Sequence, residues 1–467
     1  MPWVEHLHGF LWGLTVDWTS LVGLFLTLGL QFLPLRGIPW ALAQLAEALR
    51  QRQAGPGEIS SLAALMTALG GCLGMGNLTG MAVAIGVGGP GVVPWMWAVS
   101  LVGMATKFTE VFVAVRFRRR GPRGDVVGGP MEAIRHGLGP RWEGLAVLYA
   151  LLGAVGVFGL GNGVQAEQLA LSLGDLLRLP PLPLGMAAAA LTWLLLAGGL
   201  RRISRVLTLV VPLMTLLYLL AVAVLLGRHG ALVPAALGRM VTEAFSPQAL
   251  AGGVLAVTVP TAVRTAVFTN EAGLGTAAIA HAPASPADPL RQGGIAMLAN
   301  LISLLVCSAS GLLLLVSGVV HQAPDGGSFL QSNPAGLRLL RQAFAWAAPG
   351  SAWIASLSLV LFAFTTVLAY GYYGERCFTF LVGPRGRRPF QLAWILMVVL
   401  GASQALPGLW AIANTLDALM ALPNLLALLL LSGSVFQEVV GKAKERSSGP
   451  GERQERDQPP GVPEGDS

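Results

Sequence analysis

Charged residues are scarce in this sequence of 467 residues: 11% are Asp, Glu, Lys or Arg, whereas 54% are hydrophobic. A soluble domain of this composition would lack the polar surface that covers a core, so we expect a polytopic membrane protein. Cysteine is rare as well, and Cys72, Cys307 and Cys377 each lie in an apolar run. Their spacing does not match a cysteine metal site, and we expect no structural disulfide. The net charge of +7 comes from short loops, which argues against nucleic-acid binding.

Long apolar runs separated by short polar loops make up most of the chain. Each run is close to the ~20 residues that a helix needs to cross a bilayer core. We predict eleven transmembrane helices, at residues 18–35, 59–87, 92–117, 143–173, 184–199, 206–226, 250–280, 290–319, 352–382, 390–406 and 409–436.

This pattern predicts an all-α membrane protein in three parts. Residues 1–36 form an interfacial segment and an extra transmembrane helix, and residues 37–436 form a ten-helix core. Residues 437–467 are charged and rich in Ser, Gly and Pro, which predicts a disordered cytoplasmic tail. No basic segment precedes the first apolar helix, so a removable signal peptide is not expected.

The basic residues of the loops predict the orientation. With the N-terminus outside, about 23 basic residues lie on the cytoplasmic side and about five on the other side. The opposite orientation reverses this bias. We therefore expect a multi-pass protein of the cell (inner or plasma) membrane, with its N-terminus outside and its C-terminus in the cytoplasm.

Two of the predicted helices contain glycine-rich interruptions. Residues 70–80 hold five glycines and an asparagine, and residues 268–276 read Phe-Thr-Asn-Glu-Ala-Gly-Leu-Gly-Thr. Each glycine inside a helix costs about 1 kcal/mol relative to alanine. Free backbone groups at membrane depth are tolerated only where they face protein, a ligand or water. We therefore predict two broken helices whose backbone meets a solute or an ion.

The positions of the two breaks indicate an internal repeat. Without the first helix, ten helices remain, and the broken helices are the first and the sixth of them. They begin on opposite sides of the membrane, which predicts a five-plus-five inverted repeat with both breaks near the midplane. This pattern is typical of a secondary transporter.

The breaks offer two complementary environments. The N-terminus of a half-helix carries about half a positive charge, which suits an anionic group. Free carbonyls suit a hard cation such as Na⁺. A small zwitterionic solute and a sodium ion would therefore fit together. The neutral hydrogen-bonding side chains in or near the breaks are Asn77, Thr79, Asn162, Gln165, Thr269, Asn270, Thr276, Asn300, Thr365 and Thr366.

Structural roles compete with these assignments. A buried threonine usually donates to the carbonyl one turn back in its own helix. Asn162 and Gln165 would also serve as polar contacts between helices. Met75 and Phe268 either line the solute or fill the core.

Several charged residues fall inside predicted helices, and four of them need an explanation. Lys107 and Glu110 are three residues apart and are interpreted as a structural pair. Charges within a membrane are functional candidates by default, so Arg264 and Glu271 stay open between function and packing. A carboxylate such as Glu271 or Glu110 would also allow a proton to be the coupling ion.

Several long motifs resemble those of the alanine or glycine:cation symporter family, the sodium:alanine symporters. The motifs that carry the resemblance are Gly74-Met75-Gly76-Asn77, Gly88-Gly89-Pro90-Gly91, Gly103 to Glu110, Gly128-Gly129-Pro130-Met131, Gly159 to Gln165, Phe268 to Gly275, Phe362 to Thr366 and Tyr372 to Cys377. The resemblance covers approximately residues 37–436.

The resemblance implies a leucine-transporter-type fold and sodium-driven uptake of a small neutral amino acid such as alanine or glycine. The residues that would line the amino acid are Gly74, Met75, Gly76, Asn77, Thr79, Gln165, Phe268, Thr269 and Asn270. Thr365 and Thr366 would hold Na⁺ together with backbone oxygens near Gly71 and Gly74. No organic cofactor is implied.

One difference from the family bears on the substrate. The family usually has threonine where Met75 stands, and Thr79 is a candidate replacement for the missing hydroxyl. We therefore expect alanine as the substrate, although the sequence does not determine which amino acid is transported. It does not determine the oligomeric state either. Proton-coupled transport is an alternative, and an amino-acid sensor is an alternative from another class. No cluster of catalytic or metal-binding side chains indicates an enzyme.

Overall fold

Nearly all of the described chain is helical. The computed structural model describes residues 2–50, 59–121, 124–245, 255–320, 333–404 and 409–447. The helices of the first half are α1 Pro2–Gly29, α2 Leu33–Arg36, α3 Ile38–Arg50, α4 Ser61–Cys72, α5 Met75–Gly88, α6 Val92–Arg116, α7 Pro130–Ala133, α8 Glu143–Phe158, α9 Val164–Leu177, α10 Pro181–Ala197, α11 Gly199–Arg228 and α12 Val233–Ala244.

The second half continues the helical pattern. Its helices are α13 Leu255–Asn270, α14 Thr276–His281, α15 Pro289–Ser317, α16 Asn333–Ala347, α17 Ala352–Val382, α18 Arg387–Ala402 and α19 Leu409–Ser447. Short π or 3₁₀ turns lie at Ile134–Leu138, Pro140–Trp142, Gly159–Gly163, Gly230–Leu232 and Pro384–Gly386. Two-residue strands lie at β1 Ile59–Ser60, β2 Arg119–Arg120, β3 Val126–Val127 and β4 Ala284–Ser285.

Eight helices among the described residues are long and apolar enough to cross a membrane. They are Gly9–Gly29, Ser61–Gly88, Val92–Arg116, Pro140–Leu177, Gly199–Arg228, Pro289–Ser317, Ala352–Val382 and Ala418–Val439. The other predicted spans coincide with the shorter helices α10 and α18 and with the pair α13 and α14. The all-α membrane fold is confirmed, and this arrangement is consistent with eleven spans.

Both predicted broken helices are interrupted. The first stops at Cys72 and resumes at Met75, and the second stops at Asn270 and resumes at Thr276. Helix α13 packs against α5, and α14 packs against α4. The first half of one broken helix therefore lies beside the second half of the other. This contact pattern is the one expected when two broken helices run in opposite directions and their breaks lie at the same depth in the membrane. An inverted repeat requires that arrangement.

A short parallel strand pair joins the chain segments beside the two broken helices. In this pair Ile59 of β1 lies opposite Ala284 of β4. Gln292, on α15, donates from Nε2 to Ser61 Oγ at 2.5 Å and to the Pro286 carbonyl at 3.1 Å. These contacts join the chain segments on the side of the core that is predicted to face the cytoplasm.

The two ends of the chain differ from their predicted boundaries. Helix α1 ends at Gly29 rather than near residue 35, because Gln31 and Phe32 adopt left-handed φ angles of 51° and 59°. Helix α19 continues to Ser447, ten residues past the predicted start of the tail at 437. Val439 is buried there, and Glu438 pairs with Arg116 at 2.5 Å, so packing extends this helix. Residues 448–467 of the predicted tail lie outside the described residues.

Candidate substrate and cation site

The first break exposes the N-terminal end of α5 inside the core. Leu73 and Gly74 separate α4 from α5, and Gly74 has an extended conformation. The Gly74 N–H donates to Asn77 Oδ1 at 3.1 Å, and the Met75 N–H donates to Gln165 Oε1 at 3.3 Å. Two predicted site residues therefore bind the backbone of the break, where the helix dipole is positive.

Close packing explains why glycine occupies two positions of this break. A Cβ atom on Gly74 would lie 2.9 Å from Thr366 Oγ1, and one on Gly76 would lie 2.2 Å from a ring carbon of Phe268. The second distance is far below van der Waals contact, so only glycine fits beside this ring. The backbone of α5 thus approaches the side chain of α13 directly.

The second break is held open by side chains. Glu271, Gly273 and Gly275 have φ angles of 54°, 101° and 79°, which end the helix. Asn270 Oδ1 accepts from the Ala272 N–H at 2.9 Å. Glu110 Oε1 accepts from the Gly273 and Gly275 N–H groups at 2.8 and 3.1 Å. The backbone donors freed by the break are therefore satisfied by polar side chains.

The two breaks meet through a serine on α15. Asn77 Nδ2 donates to Ser303 Oγ at 2.8 Å, and Ser303 Oγ donates to the Thr269 carbonyl at 2.7 Å. Asn77 Nδ2 also lies 3.5 Å from the same carbonyl. All three residues are buried. The predicted juxtaposition of residues 70–80 and 268–276 is therefore present in the structure.

A cluster of carbonyl oxygens surrounds the Thr366 hydroxyl. Its Oγ1 lies 3.2 Å from the carbonyls of both Gly70 and Gly71, and 3.4 Å from that of Leu73. It also lies 3.1 Å from the Phe362 carbonyl, to which Thr365 Oγ1 donates at 2.9 Å. One hydroxyl proton serves a single acceptor at a time, so the remaining carbonyls concentrate negative potential here. A hard cation fits this set of oxygens.

Other predicted site residues turn their polar groups elsewhere. Thr79 Oγ1 donates to the Met75 carbonyl at 3.0 Å, and Thr269 Oγ1 donates to the Ala266 carbonyl at 3.2 Å, so both satisfy their own helices. Asn270 Nδ2 lies 3.4 Å from Ser100 Oγ on α6. The main chain of Thr269, rather than its hydroxyl, faces the first break.

Sequence reasoning missed a polar stripe on α15. Ser303, Cys307 and Ser310 all contact Asn77: Ser310 Oγ donates to its carbonyl at 2.8 Å, and Cys307 Sγ lies 3.4 Å from its Nδ2. Tyr218, on α11, joins Ser310 at 2.7 Å. Together with Asn300, which the sequence analysis names as a candidate, these small polar residues recur every three or four positions on one helix face. That spacing could have predicted the stripe.

The intramembrane charges have defined surroundings. Glu110 does not form the predicted pair with Lys107: its Oε1 accepts from three donors, the third being Asn424 Nδ2 at 2.8 Å, and its Oε2 has no partner within the described chain. Glu271 accepts from Tyr370 OH at 2.6 Å and from a threonine hydroxyl on α14. The guanidinium carbon of Arg264 lies 5.8 Å from the ring of Trp12, so it contacts the extra helix α1.

A fold with two interrupted helices, whose breaks meet around polar backbone in the core, defines a polytopic secondary transporter. Comparison with known proteins agrees. The model of the sodium:alanine symporter family matches residues 1–456. The chain belongs to the sodium:alanine symporter family, and it is therefore a cation-coupled amino-acid symporter of the membrane and not an enzyme.

Individual relatives and one solved structure support this membership. An uncharacterized transporter of Haemophilus influenzae is 39% identical over 92% of this chain and 94% of that protein. The sodium/alanine symporter AgcS of Methanococcus maripaludis is 37% identical over 93% of this chain and 95% of that protein. The crystal structure of MhsT in complex with L-phenylalanine has a TM-score of 0.60 at 14% identity, over 80% of this chain and 89% of that one. The fold is thus of the leucine-transporter type.

Proposed function

We propose that this protein transports a small neutral amino acid together with Na⁺ by alternating access. The observation that carries the proposal is the ring of carbonyls from Gly70, Gly71, Leu73 and Phe362 around the Thr366 hydroxyl. Uncharged oxygens, three of them from an interrupted helix, are ligands that a hard monovalent cation accepts, whereas a proton needs a titratable group. AgcS, the relative named as a sodium/alanine symporter, supports the same coupling ion.

The amino acid would bind beside this cation, at the N-terminal end of α5. Its carboxylate would face the positive end of that helix, near Gly74 and Gly76. Met75 and Phe268 belong to one small apolar cluster that is separate from the main core, and they would contact the side chain of the solute. Gln165 and Asn77 would hold the break in shape through the backbone bonds that they already make.

Met75 bears on the polarity of the substrate side chain. Its side chain is 1% exposed and packs with Leu160, Val164 and Leu359. A thioether offers no hydrogen-bond donor, and Thr79 donates to its own helix, so no hydroxyl replaces the one that the family usually has here. The resulting apolar wall favours alanine or glycine over a polar amino acid.

Transport by purified protein in liposomes tests the proposal. An inward Na⁺ gradient should drive accumulation of labelled alanine, and unlabelled alanine and glycine should compete while glutamine and lysine should not. Accumulation that does not depend on the Na⁺ gradient would reject sodium symport. Asn270→Ala should abolish accumulation with normal insertion, because the Asn270 carboxamide binds the backbone of the second break. Normal accumulation by this variant would remove Asn270 from the site.

Proton coupling is a second candidate, favoured by Glu110. This carboxylate is fully buried, and its Oε2 has no partner in the part of the chain that the structure describes. If Glu110 carries a coupling proton, a pH gradient without Na⁺ should drive accumulation of alanine. Glu110→Gln should remove that accumulation and preserve any that depends on Na⁺. Accumulation driven by Na⁺ alone would reject the proton as the coupling ion.

A further inference from the structure

A cavity between α10 and α18 is independent of the transport site. It has a volume of about 860 Å³, and its lining combines apolar side chains with arginines. The residues that matter below are Trp193 and Leu196 of α10, Arg385 in the 3₁₀ turn before α18, Arg388 in the first turn of α18, and Leu392 and Ile395 further along α18.

Exposed apolar side chains border one side of this cavity. Trp193 and Leu392 are 44% and 61% exposed, and their neighbours Leu194 and Leu396 are both 59% exposed. Exposed apolar side chains of this density on two membrane-spanning helices face lipid. Tryptophan is also the residue enriched where a membrane meets water, which places Trp193 near headgroup depth.

The polar end of the cavity is positively charged. Arg387 is bound to its surroundings, since it pairs with Glu375 at 3.2 Å and donates to the Leu196 carbonyl at 3.4 Å. Arg385 and Arg388 are exposed, and the cavity lining contains no Asp or Glu among the described residues. Two exposed guanidinium groups that line one cavity, without an acidic side chain in that lining, form a site for a phosphate group.

We propose that this cavity binds an anionic glycerophospholipid of the inner leaflet. Its phosphodiester would contact Arg385 and Arg388, and its acyl chains would lie along Trp193, Leu392 and Ile395. The combination of charge and apolar surface in one cavity selects a lipid over a free phosphate ion, which would use the arginines alone. Basic pockets between helices on the cytoplasmic side commonly bind anionic headgroups, and this side is the one that the loop charges predict to be cytoplasmic.

Native mass spectrometry of the full-length protein tests the proposal, with dioleoyl-phosphatidylglycerol and dioleoyl-phosphatidylcholine as probes. We expect the wild type to prefer phosphatidylglycerol, and Arg385→Gln/Arg388→Gln to weaken phosphatidylglycerol binding about tenfold while phosphatidylcholine binding is unchanged. The matched control is Arg50→Gln/Arg205→Gln, which removes two exposed arginines of the same predicted side from outside the cavity lining. An equal loss in the control would show a general charge effect and overturn the site.

A second variant tests the apolar part of the cavity without removing charge. Ile395→Trp fills the space between α10 and α18, and it should reduce phosphatidylglycerol binding to the level of the arginine variant. Binding equal to that of the wild type would overturn the proposal, and this variant decides the outcome if the double arginine variant fails to fold. Competition by inorganic phosphate alone, equal to that of the lipid, would identify a free-phosphate site and reject the lipid.

Discussion

Replacement of Thr366 by valine tests the cation site directly. The exchange preserves the shape of the side chain and removes the hydroxyl that lies 3.1–3.4 Å from four carbonyls. Loss of one partner at a buried polar site costs about 1–3 kcal/mol, and a central value of about 2 kcal/mol weakens Na⁺ binding about 30-fold. At roughly 100 times the wild-type Kd, stabilisation by Na⁺ would fall from about 2.7 to about 0.9 kcal/mol.

The measurement is the Na⁺ dependence of thermal unfolding in detergent, together with the Na⁺ dependence of alanine uptake in liposomes. Thr366→Ser retains the hydroxyl and should remain close to the wild type. Thr27→Val is the matched control, because Thr27 is buried on α1 and donates to the Gly23 carbonyl of its own helix at 2.7 Å. Thr27→Val should bind Na⁺ as the wild type does. If Thr366→Val also binds Na⁺ as the wild type does, the carbonyl cluster is not the sodium site.

Three further substitutions probe the breaks and the side of the core that is predicted to face the cytoplasm. Gly76→Ala should reduce alanine uptake at least about tenfold, because the added Cβ would lie 2.2 Å from a ring carbon of Phe268 on α13. Gly80→Ala is the control and should transport normally, because a Cβ there has no atom within 4 Å. Glu110→Ala should lower the thermal unfolding midpoint, because it leaves three buried donors without an acceptor, at a cost of about 1–3 kcal/mol each. Glu110→Gln should recover part of the loss. A Glu110→Ala midpoint equal to that of the wild type would refute the structural role of this carboxylate. Arg118→Ala should raise maleimide labelling of Cys72 from the predicted cytoplasmic side, because the Arg118 guanidinium donates to the carbonyls of Ala282 and Ala284 at 2.8 and 2.6 Å and so ties the end of the second broken helix in place. The other cysteines are replaced by serine in this experiment, and unchanged labelling would show that this contact does not limit access to Cys72.

Features that depend on one short segment, such as the two helix interruptions, could be predicted from the sequence. Glycine weakens a helix at the residue where it stands, so the composition of residues 70–80 and 268–276 was sufficient to predict both interruptions. The structure places them at residues 73–74 and 271–275. Helix ends set by packing were less accessible: α19 continues to Ser447 because Val439 and Glu438 contact other helices, and such contacts leave no mark on local composition.

Partners from distant segments were decided by the tertiary structure. Helical spacing placed Lys107 and Glu110 on one face and suggested a pair, but Glu110 instead accepts N–H groups of a break that lies more than 160 residues further along the chain. Ser303 likewise bridges Asn77 and Thr269: its spacing could mark a polar helix face, but it could not identify these two partners.

The sequence by itself determined where the membrane-spanning helices break, because a glycine's effect on helix stability is local. Only the tertiary structure decided which oxygens converge on Thr366 and which donors surround Glu110. Those positions depend on how the helices pack against one another, and packing brings together groups that the linear order keeps apart.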